Sequence, residues 1–213
     1  RSLTYAGDVD FGPAAALDGQ LARDFWELRI RWFDHWMRGI DNGVDREPNV
    51  RYFVMGGGSG RRTPTGRMDH GGYWKTASDW PIPGTQNTSF YLTSDGHLSQ
   101  QPPIADMANI SYEYDPANPV PSIGGTITSG APIMAGGAYD QREREDFFGS
   151  EPPFRPLAER PDVLVFQTEP LTEDVEVTGP LVVKLWISSD CPDTDFTAKL
   201  VDVYPPNDDY PEG

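Results

Sequence analysis

Three histidines, at positions 35, 70 and 97, are the imidazoles that could serve as a general base in this 213-residue chain. Such a base acts in a serine hydrolase beside a nucleophile on a sharp turn, usually in the pattern G-x-S-x-G. Ser59 lies in the run G-G-S-G-R, which does not fit that pattern, and no other serine fits it. His35 sits between Asp34 and Trp36 on an expected helix and reads as structural. His70 falls in a glycine-rich loop and His97 in a hairpin, where both read as solvated. No catalytic residue is therefore assigned within the chain. Three distant histidines have no metal-ligand spacing. The acidic segments Asp140–Asp146 and Asp190–Asp195 offer oxygens to a hard cation but do not match the twelve-residue calcium loop. They read as solvated acidic loops. Gly56–Gly60, followed by Arg61 and Arg62, suggests an anion cradle. It matches neither G-x-x-x-x-G-K-[ST] nor G-x-G-x-x-G before a helix, so a flexible surface loop is expected instead. No metal and no cofactor are expected.

The elements that would position these groups are of two kinds. Leu21, Phe25, Leu28, Trp32 and Trp36 recur at helical spacing, with Trp26, Ile30, Phe33 and Met37 beside them and charged residues mostly opposite. This pattern predicts an amphipathic helix over 21–37 with a wide apolar face. Asp18 is a plausible cap, and Gly39 is the expected stop. The aromatic load implies burial against something large. Asn49–Met55 reads as a buried strand, which alone would lack a ladder partner. From Thr88 onward the text is β: Ser89–Leu92 and His97-Leu98 flank an Asp95-Gly96 turn. Ser111–Tyr114 and the runs Val163–Phe166, Val175–Ser188 and Phe196–Tyr204 read as further strands, the last three consecutive and antiparallel.

Composition narrows the function classes. Aromatic content of 12% and hydrophobic content of 37% suit a folded chain, and 22 Gly with 21 Pro suit a loop-rich β architecture. A net charge of −16 repels nucleic acid and anionic lipid, because phosphate binding needs Lys and Arg. No run of about 18 apolar residues is present, so no membrane span is expected. The single Cys191 excludes an internal disulfide and a cysteine-based metal cage. One thiol does not decide the compartment, with the cytoplasm slightly favoured over secretion.

Several segments in order together resemble the CocE/NonD hydrolases, a group of cocaine esterase-like, α-amino-acid ester hydrolase-like and glutaryl acylase-like enzymes related to the Xaa-Pro dipeptidyl-peptidases. They are FDHWMRGIDNG at 33–43, VRYFVMG at 50–56, WPIPGT at 80–85, FYLTSDGHLS at 90–99, YEYDPANPVPSIGGT at 112–126 and the stretch 162–205. The resemblance implies a mainly β fold. A jelly-roll β-sandwich cap would occupy 80–213, preceded by the last helix and strand of an α/β-hydrolase domain over 1–55. A glycine-rich insertion and linker would span 56–79. It also implies acyl transfer to an ester, amide or Xaa-Pro dipeptidyl bond by a Ser-His-Asp triad. All three catalytic groups are expected upstream of Arg1, the His in a G-P-W-x-H-type segment. The closing strands of the jelly roll are expected beyond Gly213, and this fragment alone is expected to be inactive.

The jelly roll of the family usually caps the active-site cleft. The resemblance therefore places Ile127, Thr128 and Ser129, after the G-G-T motif, near the acyl pocket as substrate-binding residues. Members that accept bulky aromatic acyl groups carry apolar residues there. Thr128 and Ser129 depart from that, which argues against such a substrate. The expected partner is a small ester or amide, or a short peptide, bound by the parent enzyme, with a homo-oligomer allowed for. The competing reading is a free-standing jelly-roll module that binds carbohydrate or another ligand without catalysis, stacking sugars on Trp74 and Trp80.

Overall fold

The computed structural model describes residues 3–103, 109–126, 128–130 and 133–211. In chain order the elements are β1 Tyr5–Ala6, β2 Val9–Asp10, α1 Phe25–Arg38, β3 Val50–Met55, β4 Met68–Asp69, β5 Gly72–Ala77, β6 Tyr91–Leu92 and β7 Leu98–Ser99. Single 3-10 turns lie at Pro13–Ala15, Val44–Arg46 and Leu157–Glu159. The chain is mainly β, with one α-helix among the described residues. None of its described helices is long and apolar enough to cross a membrane. It divides into two compact units. One comprises Arg1–Thr4, Asp10–Thr85 and Val177–Gly213, and the other Tyr5–Val9 and Gln86–Glu176.

The first unit is organised on an antiparallel ladder between β3 and β5, in register from Val50 opposite Ala77 to Met55 opposite Gly72. By sequence β3 has no evident partner, and Gly72–Ala77 falls within the expected insertion and linker at 56–79. The pairing was hidden because Gly71-Gly72 reads as loop, whereas Gly72 is the first residue of β5. Phe53 and Trp74 face each other across the ladder with ring centroids 5.4 Å apart, and Phe11 packs edge-on against Phe53 at 6.1 Å. The Trp74 indole N–H donates to the Ala14 carbonyl at 2.9 Å, tying the Pro13–Ala15 turn to the sheet. Trp74 is thus engaged in packing and is not free to stack on a sugar.

Helix α1 begins four residues later than its periodicity predicts. Asp24 caps it, with its carboxylate accepting from the Glu27 amide at 2.8 Å, while Glu27 accepts from the Arg23 amide. Asp18 is not the cap, although its carboxylate accepts from the Phe25 amide at 3.0 Å. Gly39 ends the helix as expected, with the Gly39 and Ile40 amides turned back onto the His35 and Asp34 carbonyls. The helix holds the rest of its unit by its polar edge. Glu47 pairs with both Arg31 and Arg51, and the Asn42 amide donates to the Arg31 carbonyl at 2.7 Å. The aromatic face points outward, leaving Trp26 67% and Trp36 58% exposed, together with Ile30, Trp32, Phe33 and Met37.

In the second unit the expected hairpin is present, with β6 paired to β7 and Leu92 opposite Leu98. Val9, Ile123 and Leu157 are its buried apolar side chains. A polar clamp closes its loops. Arg160 grips Asp162 through two 2.8 Å contacts and also donates to the Asn118 carbonyl at 2.7 Å. The Asp162 carboxyl is held below its usual range chiefly by that guanidinium. Arg144 bonds Asp8 at 2.8 Å and lies over the Phe147 ring.

The three C-terminal runs differ from expectation. Gln167, just after the first, bridges His97 in parallel, but Val175–Ser188 and Phe196–Tyr204 make no ladder among the described residues. Ser111–Tyr114 likewise has no ladder there. Most of their apolar side chains are exposed, Trp186 at 96%, whereas Tyr204 is part-buried. Composition of this kind marks a preference for a half-buried pleated surface, not the neighbour that would supply it.

The ladder depends on glycine at one point. Gly72 has a φ of +142°, and a Cβ there would lie 2.3 Å from the Phe53 ring and 2.6 Å from the Val54 carbonyl oxygen. Gly72→Ala should destabilise β3–β5 by about 2 kcal/mol. Amide exchange across Val50–Met55 measures this. Faster exchange is expected, and unchanged protection would contradict the close approach.

Candidate functional site

The residues singled out for chemistry fall into separate places. Thr128 and Ser129 are exposed on a turn, whereas Ile127 lies outside the described residues. The Thr128 hydroxyl donates to the Met134 carbonyl at 2.6 Å and accepts from the Gly130 amide at 2.9 Å. Gly130 and Met134 also exchange backbone bonds at 3.0 Å. A hydroxyl residue at 128 thus braces this small antiparallel bridge, while Ser129 stands exposed just before it.

A serine, an aspartate and a histidine do converge near the glycine-rich loop, but in the wrong order for catalysis. Ser59 Oγ donates directly to Asp69 Oδ2 at 2.7 Å, and the Ser59 amide donates to the same oxygen at 3.0 Å. These two donors hold the Asp69 carboxyl below its usual range. A nucleophilic serine instead needs an imidazole to take its proton, with the carboxylate behind that imidazole. The His70 Nδ1 is 3.0 Å from the Tyr204 hydroxyl, and its ring packs edge-on against Phe11. Ser59 and Asp69 therefore form a loop brace. The backbone confirms that role, since Gly58 and Gly60 donate to the His70 and Asp69 carbonyls at 2.9 Å.

The other two histidines are equally committed. His35 Nδ1 lies 3.1 Å from the Ile40 carbonyl at the helix end, with its ring edge-on to Trp36. His97 stands exposed between Asp95 at 3.3 Å and Glu169 at 3.5 Å. Among the described residues no group of three or more His, Cys, Asp or Glu could hold a metal ion. The Arg61-Arg62 pair does not await an anion either. Arg61 pairs with Asp209 at 2.9 Å, and Arg62 lies over the Tyr210 ring at 4.7 Å. The loop expected to be flexible is thus fastened by the segment 204–210. This docking was missed in the sequence because it joins positions 147 apart, such as Arg62 and Asp209. The only signal was the complementarity of Arg61-Arg62 with Asp208-Asp209.

Residues 42–210 match the X-Pro dipeptidyl-peptidase C-terminal non-catalytic domain. The chain belongs to that family. It is 38% identical to cocaine esterase of Rhodococcus sp. (strain MB1 Bresler) over 207 residues, which covers 93% of this chain and 30% of that protein. Two mycobacterial proteins that carry provisional serine-esterase names are each 29% identical over 178 residues. They come from Mycobacterium bovis and Mycobacterium tuberculosis, and the match covers 83% of this chain and 23% of each protein. The CocE/NonD resemblance is borne out by these matches. The chain spans less than a third of the length of the curated relatives it matches.

Proposed function

We propose that this chain is the non-catalytic C-terminal portion of a serine hydrolase that cleaves an ester or amide bond through an acyl-enzyme. The observation that carries the reading is the match of residues 42–210 to a domain described as non-catalytic, in a chain similar to proteins named as esterases. Two features of the fold support it. Ser59, Asp69 and His70 lie close together and are arranged as a brace, without a proton relay. The outward aromatic face of α1 is the kind of contiguous apolar surface that soluble proteins cover with another surface. In this reading α1 and β3 are the last helix and strand of an α/β-hydrolase domain, and the β portion after Trp80 is a jelly-roll cap. The triad then belongs to the rest of the parent enzyme, where Ser attacks the carbonyl, His carries the proton and an oxyanion hole steadies the tetrahedral intermediate.

The segment that carries Thr128 and Ser129 is the part of the cap that approaches the acyl pocket. Thr128 holds the turn by both of its hydroxyl contacts. Ser129 presents a polar group where members that take bulky aromatic acyl groups present apolar ones, so a small or polar acyl group is the favoured substrate.

Hydrolysis of p-nitrophenyl acetate tests the assignment. The full-length protein should turn it over, and residues 1–213 purified alone should not. Turnover by the isolated chain, free of host esterases, would overturn it. In the full-length protein Thr128→Ala should change the ratio of kcat/KM for acetyl and butyryl esters by about threefold, the scale of a modest pocket rearrangement. An unchanged ratio would remove this turn from the acyl pocket.

A further inference from the structure

Within the first unit, the segment 202–210 lies across the glycine-rich loop and is held there at two ends. At the far end, Asp209 accepts from the Arg62 amide at 3.1 Å and pairs with Arg61, while the Asn207 side chain donates to the Gly60 carbonyl at 3.3 Å. At the near end, the Tyr204 ring covers Gly60 so closely that a Cβ there would lie 2.5 Å from it. The Tyr204 hydroxyl reaches over to His70, 3.0 Å from Nδ1 and 3.3 Å from the carbonyl oxygen. The His70 ring is half-buried between Phe11 and Tyr204, with centroids at 5.5 and 5.6 Å.

We propose that His70 and Tyr204 form a pH-sensitive latch that fastens the 202–210 segment over the loop at neutral pH and loosens it on mild acidification. With His70 neutral and its proton on Nε2, the Tyr204 hydroxyl donates to Nδ1. Protonation makes Nδ1 a donor, so the hydrogen bond must reverse and the phenolic proton must turn to the carbonyl oxygen. The new charge then sits between two aromatic rings, out of full contact with water.

The groups facing His70 from each neighbouring element act in opposing directions. Asp69 precedes it on β4 and Asp202 faces it from the strap, and both favour the charged ring. Burial outweighs them and leaves the imidazole below its ordinary range. Burial also pushes the Tyr204 phenol up, followed by Asp202 and Asp69, so it remains a donor. On β2, Asp10 takes the His70 amide on its carbonyl and the Gly12 amide on its carboxylate. Arg61 is turned to Asp208 and Asp209. A histidine depressed in the closed state contributes closure above its ordinary pKa, about 6.5, and loses that contribution as pH falls through the closed-state value.

The test is peptide-resolved hydrogen exchange on the full-length protein between pH 8 and pH 5, corrected for intrinsic exchange chemistry. Opening of residues 200–211, measured against Val50–Met55, should rise about threefold or more on acidification. His70→Gln should remove that pH dependence. Arg61→Ala should raise opening at every pH and keep the dependence. Should His70→Gln release the strap outright, the wild-type His70 imidazole resonance decides. It should titrate at the same midpoint as strap opening. A strap that does not respond to pH, a response that survives in His70→Gln, or midpoints that differ would each overturn the latch.

Discussion

The antiparallel ladder between β3 and β5 is the interaction on which the first unit depends. It sets Phe53 opposite Trp74, and that pair draws in Phe11 from the N-terminal segment. Aromatic pairs of this geometry contribute about 0.5–1.5 kcal/mol each beyond the area they bury. Once the ladder is formed, the intervening residues 56–71 must return as a connection between its two strands. The dense glycines of that connection serve close backbone contacts, such as Gly58 on the His70 carbonyl. What resembles a phosphate cradle by composition is therefore a strand connection by geometry, and its two arginines are spent on the acidic segment that covers it.

The helix follows from a second constraint. Its charged residues find partners within the chain, above all Glu47 between Arg31 and Arg51, and this fixes which edge faces inward. The apolar face is then left pointing out. An arrangement that exposes Trp26, Ile30, Trp32, Phe33, Trp36 and Met37 on one element is costly in water unless another surface covers it. The same holds for Val175–Ser188, whose strand-like text meets no ladder among the described residues. Both features fit a chain that spans under a third of its relatives. They tie the proposed hydrolase function to surfaces the parent enzyme would complete.

Much of this was legible in the residues because local rules carry it. The 3.6-residue aromatic spacing marked the helix, Gly39 marked its end, and Asp95-Gly96 marked the β6–β7 hairpin. The failure of Ser59 to fit a nucleophile motif was also readable, and its direct bond to Asp69 gives the reason. What escaped was non-local. Asp24 displaced Asp18 as the cap because Asp18 reaches the helix start from seven residues away. The partner of β3 was hidden behind glycines, and the Tyr204–His70 contact joins residues 134 apart. The C-terminal runs show the reverse error, in which a strand-like composition was read as consecutive antiparallel strands and no strand forms there among the described residues. Thr128 and Ser129 came from family resemblance, and their turn could not be seen in composition.

The proposed function puts the reacting serine of the parent enzyme outside this chain. Covalent labelling of the active full-length protein with a fluorophosphonate, followed by peptide mapping, tests it directly. Loss of esterase activity is expected, with a single phosphonylated serine in a peptide outside residues 1–213. A stoichiometric label on Ser59, or on any other serine of this chain, would contradict it.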